Sequence, residues 1–199
     1  MTEWWTYRPS DFLMFSAGSH ARLLEQFNRD TWPLHGLMLA VGLLLVVAVT
    51  VPSSPAARWA PPALAATWAW VGWAYLWERF AEINTAASYL AVAFSVQAAL
   101  LVASVWRAGP EPAGSANLQF GAAALIAAAV LLWPLSALLT GRSWMQAEYF
   151  GMAPEPTALA TLGWLLAARM RHKRVLAVIP VVSLGVGLGM LWLLYGPDG

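Results

Sequence analysis

The sequence predicts an all-α fold: a polytopic transmembrane bundle of about six apolar helices behind an interfacial amphipathic N-terminal segment. Three observations carry this. Hydrophobic residues make up 60% of the 199 and charged residues only 11%, whereas a soluble domain carries about a quarter charged residues. The charges are not scattered but cut the chain into long apolar blocks. Thirteen tryptophans are present, several of them close to block ends, where aromatic side chains mark the membrane–water boundary.

Residues 1–32 read as the N-terminal arm and 33–196 as the bundle. Within the arm, Leu23, Leu24 and Phe27 fall at helical spacing among Arg22, Glu25, Gln26 and Arg29. That pattern predicts a short helix lying in the interface, with Trp4, Trp5 and Tyr7 at headgroup depth. The first apolar block, Pro33 to Val51, is long enough to cross about 30 Å of hydrocarbon. Thr31 is a candidate N-cap there, and Pro52-Ser53-Ser54-Pro55 ends the helix.

The second block runs from Pro61 to Trp77 and the third from Asn84 to Trp106, with Asn84 and Thr85 as candidate caps. The fourth, Leu118 to Thr140, holds Pro134. The fifth, Thr157 to Met170, is short for a span and is expected either to cross or to dip in and return. The sixth, Val175 to Tyr195, contains Pro180. Both prolines are expected to kink their helices.

Orientation follows from the basic cluster Arg169, Arg171, Lys173 and Arg174, which the positive-inside rule places in the cytoplasm, with the C-terminus opposite. Six spans divide the eleven basic residues almost evenly. A re-entrant fifth block leaves only Arg58 and Arg107 outside, so the side of the N-terminus stays open. No cleavable leader is expected, because Glu3, Asp11, Glu25 and Asp30 interrupt the first thirty residues. The arginine-, alanine- and tryptophan-rich composition suggests a bacterial inner-membrane protein.

Function is less legible. The absence of cysteine excludes disulfides, thiolate metal sites and cysteine nucleophiles. His20, His35 and His172 show no metal-binding spacing, so neither metal nor cofactor is expected, and a net charge of +1 gives no reason to expect nucleic acid. No Asp, Glu, Lys or Arg falls at the middle of a block, which argues against a carrier with a central carboxylate. No Ser/His/Asp arrangement or phosphate loop appears, and no enzyme activity is expected.

The ligand or pore candidates are Trp70, Trp73 and Trp77, which form an i, i+3, i+7 stripe, and Glu78, Arg79, Glu82, Ser95 and Gln97. The plainer reading makes the tryptophans belt residues, the Glu78–Glu82 group a polar turn, and Gln97 an inter-helix tie. Gly185 and Gly189 form a GxxxG suited to close helix packing. The loop from Arg142 to Gly151, with Glu148 and Glu155 around Pro154 and Pro156, reads as a lid, a docking surface or, most simply, a surface loop.

The opening Trp4-Trp5-Thr6-Tyr7-Arg8-Pro9-Ser10-Asp11-Phe12-Leu13-Met14-Phe15-Ser16 resembles the start of a family of small bacterial integral membrane proteins, domain of unknown function 6064. Leu24 to Pro33 and Glu82-Ile83-Asn84-Thr85-Ala86-Ala87-Ser88-Tyr89 are similar too. The resemblance implies a multi-span inner-membrane protein and carries no activity and no catalytic residue. Two expectations follow: a non-catalytic subunit or assembly partner of a membrane complex, or a homo-oligomeric channel or carrier for a small neutral or hydrophobic solute. The bilayer itself, a membrane protein partner or a second copy are the partners these readings admit.

Overall fold

A computed structural model describes residues 13–107, 115–168, 170 and 172–196. Trp4, Trp5, Tyr7, Arg169 and Arg171 therefore lie outside the described residues. Seven helices make up most of the described chain. They are α1 (Ala17–Asp30), α2 (Leu34–Thr50), α3 (Pro55–Trp70), α4 (Ala86–Arg107), α5 (Ala116–Leu139), α6 (Pro154–Ala167) and α7 (Lys173–Tyr195).

Helix boundaries follow local chemistry. Ser16 caps α1 by accepting the Ser19 N–H at 3.2 Å. Thr31 closes α1 instead of opening α2, as its hydroxyl donates to the Phe27 carbonyl at 2.7 Å, and α2 begins at Leu34 without a side-chain cap. Pro55 sits at the start of α3, where a missing N–H costs nothing, so the second apolar helix begins six residues earlier than the apolar pattern suggests. Asn84 accepts the Ala86 N–H at 3.1 Å and so caps α4 as expected. Pro134 breaks the regular ladder of α5, which passes through a π-helical stretch at Ala128–Leu132 and a 3-10 turn at Trp133–Leu135. Pro180, by contrast, stays inside a continuous α7.

The apolar helices number six among the described residues, but fewer of them are candidate spans. Three are long and apolar enough to cross a membrane: α4 over Ala86–Val105, α5 and α7. A fourth span arises only if α1 and α2, which meet at 90°, are one bent crossing. We take α1 as a helix laid across the end of the bundle, docked by buried His20, Leu24, Phe27 and Asn28. The helix of the fifth block, α6, has 14 residues, about 21 Å of rise, and falls short of the hydrocarbon thickness. It forms the centre of the fold instead, packed against α5 and α7 and touching α2 and α3.

Close approaches lock the bundle. Trp68 of α3 donates to the Thr161 hydroxyl of α6 at 2.8 Å, and its ring lies 4.1 Å from that of Phe94 on α4. Gly163 lets α6 run against α5, since a Cβ there would stand 2.9 Å from Ile126 and 3.1 Å from the Ala122 carbonyl. Gly185 and Gly189, expected to allow close packing within the chain or between copies, have nothing of their own chain within 4 Å of their would-be Cβ atoms. The inward glycine of that helix is Gly187.

Candidate functional site

Past Trp70, helix α3 loosens into a π-helical segment, Val71–Trp77. The wider turn points Tyr75 inward, while Trp73 and Trp77 stand 60% and 53% exposed. Tyr75 reaches a polar cluster at the end of the bundle that α1 covers. Its hydroxyl lies 3.4 Å from His20 Nε2, and His20 Nδ1 lies 3.0 Å from the Tyr195 hydroxyl at the end of α7. Tyr195 donates onward to the Ala17 carbonyl at 3.2 Å. This direction makes His20 Nδ1 the donor and Nε2 the acceptor from Tyr75.

The connection between α5 and α6 supplies the charges. Arg142 makes a bidentate pair with Glu148, at 2.5 and 3.2 Å, and both residues are buried. The guanidinium also donates to the Gln146 carbonyl and the Thr140 hydroxyl, and lies 4.3 Å over the Tyr195 ring. Such saturation is what a buried ion pair needs to survive desolvation. The loop is held from α1 as well: Asn28 donates to the carbonyls of Met145 and Ala147 at 2.9 and 3.0 Å, and Gln146 donates to Glu25 at 2.9 Å. Gly151, at φ 75°, turns the chain into α6 against Met38, where no side chain would fit. The expected surface loop is so only in part: Ser143, Trp144 and Met145 are exposed, while Arg142, Ala147, Glu148 and Phe150 are buried.

Glu155 completes the cluster from the first turn of α6, where the helix dipole favours a negative charge. It is 4% exposed, and Gly187 leaves the room in which its carboxyl rests against α7. Burial first, and the Glu148 charge second, raise Glu155 to about 8. Burial, with Arg142 beside it, lowers His20 to about 3, so the imidazole is neutral. Among the described residues, no group of three or more His, Asp or Glu side chains is placed to hold a metal ion.

Beside Glu155 opens a cavity of about 290 Å³ between α4 and α7. Tyr75, Phe80 and Leu90 line it, Asn84 and Glu155 add polar groups, and Tyr89 and Val186 stand exposed at its mouth. Both flanking helices, α4 and α7, are candidate spans by length and apolarity.

The residues proposed from sequence alone do not gather here. Trp70 and Trp73 make an edge-to-face pair at 6.3 Å; Trp73 and Trp77 are exposed, whereas Trp70 is half-buried against the core. Glu78 and Glu82 are exposed, and Arg79 pairs with Asp30 at 3.0 Å, tying the turn after α3 to α1. Ser95 is exposed and bonded back to Ala91. Gln97 is fully buried and donates to the Leu176 carbonyl at 3.0 Å, joining α4 to α7. What sequence reasoning missed is His20, Tyr75, Arg142, Glu148, Glu155 and Tyr195. One signal was available for Glu155, which is the single charge between Glu148 and Arg169, enclosed by prolines at a helix start.

A family model described as "Family of unknown function (DUF6064)" matches residues 19–196. No curated protein and no solved structure matches the chain.

Proposed function

The chain belongs to the Family of unknown function (DUF6064), and from that footing we propose a non-catalytic, multi-pass protein of the bacterial inner membrane that takes up a small, mainly apolar solute. One observation carries this reading: the cavity between α4 and α7, apolar except for a few polar groups, with candidate spans on both sides. A concave apolar site with few converging polar groups is the usual form of a small-molecule site. Entry from the bilayer suits a solute that already partitions there. The polar side chains on its walls are Tyr75, Asn84, Tyr89 and Glu155. The loop at 169–174 is taken as cytoplasmic and the C-terminus as opposite.

A second reading, a subunit or assembly partner within a membrane complex, is favoured by the open face of α7. There Gly185 and Gly189 leave a smooth surface flanked by exposed Val178, Val181 and Val182. Native mass spectrometry of the gently extracted protein separates the two. The solute reading expects a bound small molecule that Ala93→Phe, which fills the cleft wall, displaces. A stoichiometric companion polypeptide and an empty cleft would replace it with the subunit reading.

A further inference from the structure

We infer that the solute is a lipophilic ammonium, its apolar body in the cleft and its charged nitrogen on the Glu155 carboxylate, taken up in exchange for a proton. The inference rests on the reading of the cleft as a ligand site and names the ligand's chemistry.

The argument begins with the buried charges. Arg142 is consumed by Glu148 through two hydrogen bonds. His20 is neutral between two tyrosines. Glu155 is left over: among the described residues, no other side chain donates a hydrogen bond to it or pairs with its charge, although it is nearly inaccessible. Its own backbone N–H donates the hydrogen bond it receives, and a buried carboxylate with no side-chain donor or counter-charge takes up a proton or finds a cation.

The cleft supplies the second choice. Its wall includes the aromatic residues Tyr75, Phe80 and Tyr89, and aromatic rings are favourable neighbours for a cation. An anionic ligand would meet Glu155 and, behind it, Glu148. A neutral ligand would gain at most one hydrogen bond. The groups around Glu155 are Arg142 and Glu148 from the loop, Tyr75 from the π-helical segment, Tyr195 from α7, Asn84 and Tyr89 at the α4 side, and His20 behind Tyr75. Of these, Arg142 and Glu148 are paired with each other.

The exchange balances without a further reactant. The carboxylic acid of Glu155 loses its proton to water as R–NH3+ arrives, and the ammonium and carboxylate form the ion pair. No covalent bond to carbon or nitrogen is made. Because Glu155 is held at about 8, giving up the proton at pH 7 costs only about a tenfold factor in affinity.

The test uses purified full-length protein in nanodiscs with 1-aminoadamantane and its neutral counterpart 1-adamantanol, and reads binding by calorimetry in two buffers of different ionisation enthalpy. The amine is expected to bind more tightly than the alcohol and to release about one proton at pH 7. Its affinity should rise about tenfold per pH unit up to about pH 8 and then level off. Glu155→Gln should weaken amine binding by about tenfold or more and leave the alcohol nearly unchanged. Equal binding of both probes without proton release would overturn the ammonium inference and leave the cleft reading standing. Binding of neither, by a protein that still unfolds cooperatively on heating, would overturn both. Should Glu155→Gln fail to fold, proton release and the pH slope of the unmodified protein decide alone.

Discussion

Helices α6 and α7 are both strongly apolar, yet they meet opposite surroundings. Ten of the 14 residues of α6 are buried, whereas α7 exposes Val175, Val178, Val181, Val182, Val186, Leu188 and Trp192 along its 23. Apolarity does not separate them, because lipid and protein interior are equally dry. Polar atoms do. On α6, Thr157 accepts from the Gly151 N–H and donates to the Ala153 carbonyl, while Thr161 accepts from Trp68. These are the fully satisfied hydroxyls of a helix enclosed by protein. Length agrees: α7 is long and apolar enough to cross a bilayer, and α6, at 14 residues, is shorter than the hydrocarbon is thick. The short helix acts as a scaffold that holds Glu155 and the Arg142 loop in place, and the long one is the wall between them and lipid.

If that division is right, the largest stability loss should come from the loop beneath α6. Arg142→Leu leaves the Glu148 carboxylate buried without a partner, at a cost of roughly 3–5 kcal/mol. Thermal unfolding in mild detergent measures it, and the double variant Arg142→Leu, Glu148→Leu should recover most of the loss. A single variant as stable as the parent would mean that the pair does not hold the scaffold.

The next effect, on the order of a few kcal/mol, is a pH profile. Glu155 has its folded pKa raised from 4.5 to about 8. The unfolded chain therefore releases this proton first, and stability falls as pH rises through that window. His20 has its folded pKa lowered from 6.5 to about 3, so its contribution is present above 6.5 and is lost as pH falls toward 3. Stability should fall on both sides of mildly acidic pH. Glu155→Gln should flatten the alkaline limb and His20→Phe the acid one, each leaving the other in place. A profile flat from pH 5 to 8 in the parent would contradict the burial of both groups.

Much of the bundle was legible because Pro, Gly and charge punctuate it. The helix of the N-terminal arm was visible in Leu23, Leu24 and Phe27, the cap of α4 in Asn84, and the shortness of the fifth apolar helix in its length. The site was not. His20 meets Tyr75 and Tyr195 across 55 and 175 positions, which no local spacing reports. Arg142 and Glu148 looked like solvated loop charges because charges in loops usually are; only the docking of α1 and the α5–α6 packing bury them. The tryptophan stripe misled for a related reason. A π-helical turn shifts the register within it, turning Tyr75 in and Trp73 and Trp77 out, and propensity does not announce such a turn.

The smallest effect sharpens the contrast between the two helices at single glycines. Gly163→Ala on α6 puts a methyl 2.9 Å from Ile126 and 3.1 Å from the Ala122 carbonyl, and backbone cannot swing aside as a side chain can. The expected cost is roughly 1–3 kcal/mol, partly offset by the better helix propensity of alanine. Gly185→Ala and Gly189→Ala on α7 meet nothing within the chain and should leave the unfolding temperature of the detergent-solubilised monomer unchanged or slightly raised. The same pair of variants, measured in native membranes, then asks a second question. If stability falls there while the solubilised monomer is unaffected, something in the membrane covers the Gly185–Gly189 face, and the assembly reading gains the partner helix it needs. If neither setting responds, that face meets only lipid, and the close packing of this fold is confined to the helices around α6.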